Sequence, residues 1–151
     1  MTRQTDIEIC VPSQPRYLGV VRATVQTTLG NIGFDQASCG QMMLAIDEAL
    51  ANIMRHGYRG RNDGPIWLRL RPGGEGDRAG VRIEIEDEAE QVDPEEICGR
   101  NLGEAAPGGH GVNIIRQVMD EVCYSRRRGG GMRLVMLKGA GATLEEKSST
   151  R

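Results

Sequence analysis

At 151 residues, the chain is long enough to bury one hydrophobic core and too short for two ordinary domains, so we expect a single domain over residues 1–151. The formal net charge of −2 excludes the strongly basic surface of a nucleic-acid-binding protein, and no run approaches the roughly 18 apolar residues of a membrane span. The four cysteines are not spaced like zinc ligands, which indicates free thiols in a reducing, cytoplasmic location.

The first part of the chain predicts one strand followed by two helices. Residues 6–11 alternate apolar and polar side chains until a proline ends the run, as is typical of a half-buried edge strand. From residue 15 onward, apolar residues recur at three- and four-residue steps, so we expect a helix that Gly30 and Asn31 close. A second helix is predicted over about residues 35–57.

The rest of the chain predicts two pairs of strands with a third main helix between them. After the first pair, Asp93 and Pro94 resemble the capped start of a short helix, and the polar stretch 99–109 is either a lid or a disordered connector. The tail from Gly139 onward is expected to fray. The main elements are strands at 65–71 and 80–87, a helix at 110–119, and strands at 121–126 and 132–138.

These elements favour an α/β sandwich of two layers. Strands joined by hairpins pair antiparallel, so the economical arrangement is one mixed, mostly antiparallel, five-stranded sheet with about three helices on one face. The other face of the sheet must then meet solvent or a partner. The ordered core is expected over about residues 6–138.

The second helix has two faces of different composition. One carries an apolar stripe, whereas the other carries a carboxylate and an amide one turn apart, Glu48 and Asn52, beside the small Ala45. Oxygen ligands suit Mg²⁺ and a carboxylate can accept a proton, so this pair could serve phosphoryl transfer. The alternative is the solvated side of an ordinary helix. His56, on the same face, fits a capping group better than a catalyst.

Two further features would complete a nucleotide site. Strand alternation points Asp87 inward, where a carboxylate needs a partner such as the amino group of adenine. In the segment Gly108–Gly111, three glycines surround His110 just before a helix, where free backbone amides and the helix dipole favour a phosphate. Taken singly, the aspartate could cap a turn and the glycines could merely give the chain freedom. Together with the acid and the amide of the second helix, they describe a site for ATP.

These residues resemble the motifs of the histidine-kinase-like ATPase superfamily, also called GHKL ATPases, and most of all its small anti-sigma factor serine/threonine kinases. The resemblance covers about residues 10–138, and its asparagine and glycine boxes match more fully than its aspartate box. The asparagine box is matched by Asp47, Glu48, Ala49, Asn52, His56, Gly57 and Tyr58; the aspartate box by Asp87, Asp93 and Pro94; the glycine box by Pro107, Gly108, Gly109, His110, Gly111 and Val112.

The resemblance implies the Bergerat ATP-binding fold, with ATP and Mg²⁺ as cofactors. It implies that Glu48 is the base, that Asn52 holds Mg²⁺ and that Asp87 binds adenine. It also implies that the nucleotide-binding lid over the phosphates is shaped by Gly108, Gly109, His110, Gly111 and Val112.

The sequence departs from the family pattern at two places. Ala89 and Gln91 stand where the aspartate box usually has glycines, and side chains there are expected to crowd the adenine pocket or the lid hinge. The late strand that begins at Met132 has no Ser or Thr to place beside the adenine.

As to function, the resemblance implies a cytoplasmic kinase that phosphorylates a Ser or Thr of a small antagonist protein of the STAS type, and that otherwise holds a sigma factor or another target. The alternative is a module of the same fold that sequesters a partner without turning over ATP, which the replaced glycines favour. A detached ATPase that acts on an external histidine is a third interpretation. A homodimer through the uncovered sheet face or the edge of the first strand is also expected.

Overall fold

The computed structural model describes residues 7–73, 79–94 and 109–139, which form five strands and three α-helices. A 3₁₀ turn over Pro15–Tyr17 leads into the first helix, and a π-helical turn over Ile53–Gly57 extends the second. In chain order the elements are β1 (Ile7–Pro12), α1 (Leu18–Ile32), α2 (Gln36–Asn52), β2 (Pro65–Gly73), β3 (Gly80–Asp87), α3 (Gly109–Val118), β4 (Glu121–Arg126) and β5 (Met132–Gly139).

Some features predicted from the sequence lie in parts of the chain that are not described. The glycine-rich stretch up to residue 108, most of the connection between β2 and β3, the short helix beyond Pro94 and the tail after Gly139 lie outside the described residues.

The five strands form one sheet in the order β1-β2-β3-β5-β4. Each pair of neighbours is antiparallel, so the parallel pair that a mixed sheet would contain is not found among the described strands. The strand β1 pairs with β2 at one edge, and the chain between them passes through α1 and α2. The predicted α/β fold, with a mostly antiparallel five-stranded sheet under helices, is confirmed.

The helix ends follow local capping chemistry. The carboxylate of Asp35 accepts a hydrogen bond of 2.7 Å from the amide of Ser38 and so caps the start of α2. The predicted end of α1 at Gly30 is wrong, because the helix continues to Ile32. It ends at Gly33, which has a φ of 117° and donates its amide to the carbonyl of Leu29. No helix within the described ranges is both long and apolar enough to cross a membrane.

The hydrophobic core lies between the helices and one face of the sheet. Strand β3 shows the predicted alternation, since Val81, Ile83 and Ile85 point inward and are at most 1% exposed. The helices contribute an aliphatic layer that packs on this face. Its most buried members are Val21, Val25, Leu29, Met42, Ala45, Ile46, Leu50 and Ile115.

The opposite face of the sheet carries a network of ion pairs. Glu84, in the middle strand, is 7% exposed and pairs with Arg133 and with Arg82, whose Nη1 lies 3.5 Å from Oε2. Arg69 lies 3.5 Å from Glu86 and links the same network to β2. Opposite charges on neighbouring strands therefore satisfy one another on the face that no described helix covers.

Candidate functional site

The helix α2 places Glu48 and Asn52 one turn apart, and both residues are half-buried. Because residues four apart are neighbours on a helix surface, the carboxylate and the amide can act on one ligand. Ala45, predicted to lie beside them on the open face, is instead fully buried. The helix α3 packs against α2 and turns this part of the face into core, so the open face is narrower than the sequence predicted.

Asp47, the residue before Glu48, joins α2 to α1. Arg22 Nε lies 2.9 Å from its Oδ1 and 2.8 Å from its Oδ2. The arginine side chain is 47% exposed, so solvent screens this pair and its contribution to stability is small. The pair connects the surfaces of α1 and α2 at the residue next to Glu48.

The last turn of this helical segment is wider than the turns before it. Over Ile53–Gly57 the chain forms a π turn, and the amide of Tyr58 donates to the carbonyl of Ile53, five residues back, at 2.8 Å. Turns of this kind are rare, and a large share of them lie beside functional sites. His56 lies in this turn and is exposed at the helix end, which agrees with its interpretation as a peripheral group.

Asp87 ends β3 with its side chain on the inward face, as the alternation predicted, and is 4% exposed. Two backbone amides donate to it: Ala89 at 2.9 Å and Met132 at 3.2 Å. Both bonds end on Oδ1. Within the described part of the chain, Oδ2 is therefore the oxygen left to accept a hydrogen bond from a ligand.

Burial raises the pKa of Asp87 above its ordinary value of 3.8. The two amide bonds and the positive charge of Arg127 lower it again, whereas the neighbouring Glu86 raises it. Desolvation is the largest of these effects, because a carboxylate in this position has lost most of its contact with water. A hydrogen-bond donor from a ligand would replace part of that lost hydration.

The turn between β4 and β5 approaches Asp87 very closely. Gly131 has a φ of 90°, and a Cβ there would overlap the carbonyl oxygen of Asp87. Only glycine allows the two backbones to come this near. The same approach brings the amide of Met132 to the carboxylate, so the backbone of β5 supplies a donor where the strand has no Ser or Thr side chain.

The loop after Asp87 is held on both sides. Glu90 pairs with Arg59 at 2.6 Å, and Gln91 Nε2 donates to the carbonyl of Arg127 at 2.9 Å. Ala89 is 5% exposed and belongs to the core cluster. The two residues that replace the expected glycines therefore contact the surrounding protein, one by packing and one by a hydrogen bond to the β4–β5 turn.

The end of β3 is also in contact with the end of α2. A Cβ added at Gly57 would lie 3.0 Å from the Cβ of Ala89, so the two backbones are close. The hydroxyl of Tyr58 accepts a hydrogen bond of 2.7 Å from the amide of Glu88. The structure thus joins the strand end that carries the candidate adenine ligand to the helix that carries the candidate base and metal ligand.

The glycine segment is described only in part. Gly108 lies outside the described residues, whereas the backbone of Gly109, His110, Gly111 and Val112 forms the first turn of α3. This helix begins one residue earlier than predicted and packs against α2. Contact of Gly108–Val112 with phosphate stays a prediction.

Three residues of this region were not singled out as functional from the sequence. Tyr58 was noted only as part of a motif, and Gly131 only falls between the predicted strands at 121–126 and 132–138. The run of three glycines at 129–131 was the available signal, because it exceeds what a hairpin turn needs. Arg127 gave no signal, since its contacts with Trp67, at 4.6 Å from the ring centroid, and with Glu86 depend on the folded sheet.

The chain is similar to several known proteins. The chain is 30% identical over 138 residues to the serine-protein kinase RsbW of Oceanobacillus iheyensis, covering 85% of this chain and 84% of that protein. It is 27% identical over 132 residues to the serine-protein kinase RsbW of Bacillus subtilis, covering 82% and 79%. A histidine kinase domain from the blue-light activated histidine kinase of Erythrobacter litoralis EL346 is similar with a TM-score of 0.45 and 20% identity, over 83% of this chain and 60% of that chain.

The model of the histidine kinase-like ATPase domain family matches residues 11–138, which is most of the chain. The same stretch contains α2, β3 and the beginning of α3, where the candidate residues lie. The protein therefore belongs to the histidine kinase-like ATPase domain family, in the branch of the anti-sigma factor serine kinases that the sequence resembles.

Proposed function

We propose that this protein is a serine/threonine protein kinase that binds ATP with Mg²⁺ and phosphorylates a small regulatory protein. The observation that carries the proposal is the environment of Asp87. It is buried, its Oδ1 accepts from two amides, and among the described residues its Oδ2 is left as an acceptor. The exocyclic amino group of adenine is a donor of the kind that this oxygen requires. Guanine presents a carbonyl oxygen at the same position, so the carboxylate would favour ATP over GTP.

The residues present fit the metal that such a reaction uses. Mg²⁺ prefers oxygen ligands. The side-chain oxygen of Asn52, half-buried on α2, would supply the protein ligand. When bound, Mg²⁺ neutralises charge on the phosphates and orients the triphosphate.

Glu48 would act as the base. As a hydroxyl oxygen of the substrate protein forms its bond to the γ-phosphorus, the bond from that phosphorus to the β–γ bridging oxygen breaks, and ADP leaves. The hydroxyl proton passes to the carboxylate of Glu48, which lies one turn from the metal ligand Asn52. The amides at the start of α3, from Gly109 onward, would face the phosphates and add the favourable end of the helix dipole.

The partner assignment follows from the family branch. Relatives named serine-protein kinases support a protein hydroxyl as the phosphate acceptor. We assign this acceptor to a small antagonist protein of the STAS type, and the protein held in its absence to a sigma factor or a similar regulatory target. A homodimer is part of the same proposal.

A second function is favoured by one observation. Ala89 and Gln91, which replace the expected glycines, tie the loop after Asp87 to the core and to the β4–β5 turn. A loop fixed in this way suits a module that sequesters a protein partner without turning over ATP. This alternative shares the fold with the kinase, but it binds nucleotide poorly or does not turn it over.

Titration calorimetry of the full chain with Mg²⁺ and ATP separates the two functions. We expect one nucleotide per chain, with ATP bound more tightly than GTP because only adenine carries the amino group. A chain that binds neither nucleotide would overturn the kinase and favour the sequestering module. Incubation with radiolabelled ATP and the STAS protein encoded nearest to this chain in its genome then tests transfer, and the labelled residue is mapped.

A further inference from the structure

Tyr58 occupies an unusual position between two strands. Its side chain is 2% exposed, and its hydroxyl makes two hydrogen bonds. It donates to the carbonyl of Pro65, at the start of β2, at 2.6 Å and accepts from the amide of Glu88, just after β3, at 2.7 Å. One phenol therefore connects the beginning of one strand with the end of its neighbour.

These two partners are the groups that the next rung of the sheet would join. The strands β2 and β3 are antiparallel with Ile66 opposite Asp87, so Pro65 and Glu88 stand opposite each other one step further along. In an uninterrupted ladder, an amide of one strand donates directly to a carbonyl of the other. The hydroxyl of Tyr58 instead takes both groups and stands between the strands at this point.

Because the hydroxyl stands between the strands, the chain after Asp87 no longer pairs with β2. Once the chain has left the ladder, the amide of Ala89 turns back and donates to Asp87 Oδ1 at 2.9 Å. The ring of Tyr58 has room because its neighbour is Gly64, where a Cβ would overlap the ring atoms. Burial raises the pKa of Tyr58, so the phenol keeps the proton that it donates to Pro65.

We propose that Tyr58 is a positioning residue for adenine recognition, which acts by holding β2 and β3 apart just beyond Asp87. This separation keeps the amide of Ala89 on Oδ1 and so leaves Oδ2 to the exocyclic amino group of the base. The inference rests on the proposed nucleotide function. It adds to that function a residue that touches neither the nucleotide nor the metal and yet sets the base preference.

The substitution Tyr58→Phe tests this role, because it removes the hydroxyl and keeps the ring. Calorimetry compares ATP with inosine triphosphate, which carries an oxygen in place of the amino group. We expect the variant to lose about tenfold in affinity for ATP and less than about twofold for inosine triphosphate, as for one lost hydrogen bond. A purely structural role would weaken both ligands equally and leave their ratio unchanged.

The control variant is Thr28→Val, which also removes one buried hydroxyl. Thr28 is 6% exposed and donates to the carbonyl of Thr24 at 2.7 Å within α1, a helix that carries none of the candidate site residues. We expect it to keep the wild-type ratio of the two nucleotide affinities. A change of that ratio in Thr28→Val as large as in Tyr58→Phe would overturn the proposal.

A second measurement needs no nucleotide. In the free protein, carbon NMR follows the titration of the Asp87 carboxyl group, and Tyr58→Phe is expected to raise its pKa further, because the carboxylate loses the amide bond from Ala89. An unchanged pKa together with an unchanged nucleotide ratio would contradict the inference. If wild-type protein binds no nucleotide, the proposed function fails, and the Asp87 titration still decides whether Tyr58 positions the carboxylate.

If Tyr58→Phe does not fold, the proposal can still be tested on the wild-type protein. In the wild-type protein, the amide of Glu88 is then followed by hydrogen exchange. A bond to a buried hydroxyl predicts exchange as slow as that of the neighbouring amides of β3. Exchange at the rate of a free amide would show that the bridge between the strands does not exist and would overturn the inference.

Discussion

The amide of Met132, at the start of β5, donates a hydrogen bond of 3.2 Å to the carboxylate of Asp87, at the end of β3. The two residues are 45 positions apart in the chain, and the contact requires the β4–β5 turn to rest on the end of β3. This bond and the one from Ala89 hold the carboxylate from two independent segments. The orientation of Asp87 is thus set before any ligand binds.

The substitution Gly131→Ala tests how closely the turn rests on β3. An added methyl group would overlap the carbonyl of Asp87, and the residue would also have to keep a φ of 90°. We expect a loss of about 2–4 kcal/mol in the free energy of unfolding, measured with urea. The matched control is Gly129→Ala, which has the same φ of 90° but no atom of the described residues within 4 Å of the new methyl group.

Gly129→Ala should cost only about 1 kcal/mol, the strain of the left-handed backbone alone. The difference between the two variants then reports the close approach at Gly131. Equal losses would show that the turn is free to move away from Asp87.

The substitution Asp87→Asn separates folding from nucleotide binding. The side-chain oxygen of asparagine can still accept both amides, and the neutral group no longer costs desolvation, so stability is expected to stay the same or rise. The side-chain nitrogen would then face the amino group of adenine, and two donors do not bond. We expect ATP affinity to fall at least about tenfold, by calorimetry.

Asp120→Asn is the control for this variant. Asp120 is an exposed carboxylate that also accepts a backbone amide, from Gly139 at 2.8 Å, and it lies beside β4. It should leave ATP affinity unchanged. Wild-type affinity in Asp87→Asn would contradict the assignment of Oδ2 to the ligand.

The raised pKa of Asp87 predicts how stability depends on pH. In the unfolded chain this group titrates near 3.8, whereas burial moves its folded pKa higher. Between the two values the folded chain binds one more proton, so unfolding releases a proton and stability falls as the pH rises through this window. The difference in the free energy of unfolding between wild-type protein and Asp87→Asn, measured with urea at several pH values, should show this decline.

Over the same window, ATP affinity should rise as the pH rises, whereas stability falls. A protonated Asp87 carries a hydrogen that faces the donor of the base, so binding weakens as the pH falls through the folded pKa. Calorimetry of ATP binding at several pH values measures this effect. An affinity for ATP that does not change across the window would exclude Asp87 from the binding site.

Local patterns predicted those parts of the site that lie within one element. The spacing of Glu48 and Asn52 and the inward direction of Asp87 follow from helical and strand periods, and the structure has the helix and the strand that the patterns predicted. Ala45 was assigned to the wrong side because its burial depends on the packing of α3, which the pattern of α2 does not contain.

Contacts between distant segments could not be predicted in this way. The hydroxyl of Tyr58 meets an amide 30 residues away, and the approach of Gly131 to Asp87 is a contact of backbone with backbone. Neither contact leaves a period in the sequence. A tyrosine at the end of a helix has many possible partners, and only the register of β2 and β3 decides that it stands between Pro65 and Glu88.

The substitution Glu48→Gln tests the base. Glutamine keeps the size and the polarity of the side chain, which lies half-buried on α2, so ATP affinity should stay within about twofold of wild type. It cannot accept the proton, so the rate of ADP formation should fall by about 10²- to 10⁴-fold.

Because the protein substrate is not identified, the assay follows the slow formation of ADP with water as the acceptor. Glu121→Gln, an exposed glutamate of β4, is the control and should keep the wild-type rate. Undiminished ADP formation in Glu48→Gln, with wild-type affinity for ATP, would remove Glu48 from the proposed mechanism and leave the nucleotide site at Asp87 in place.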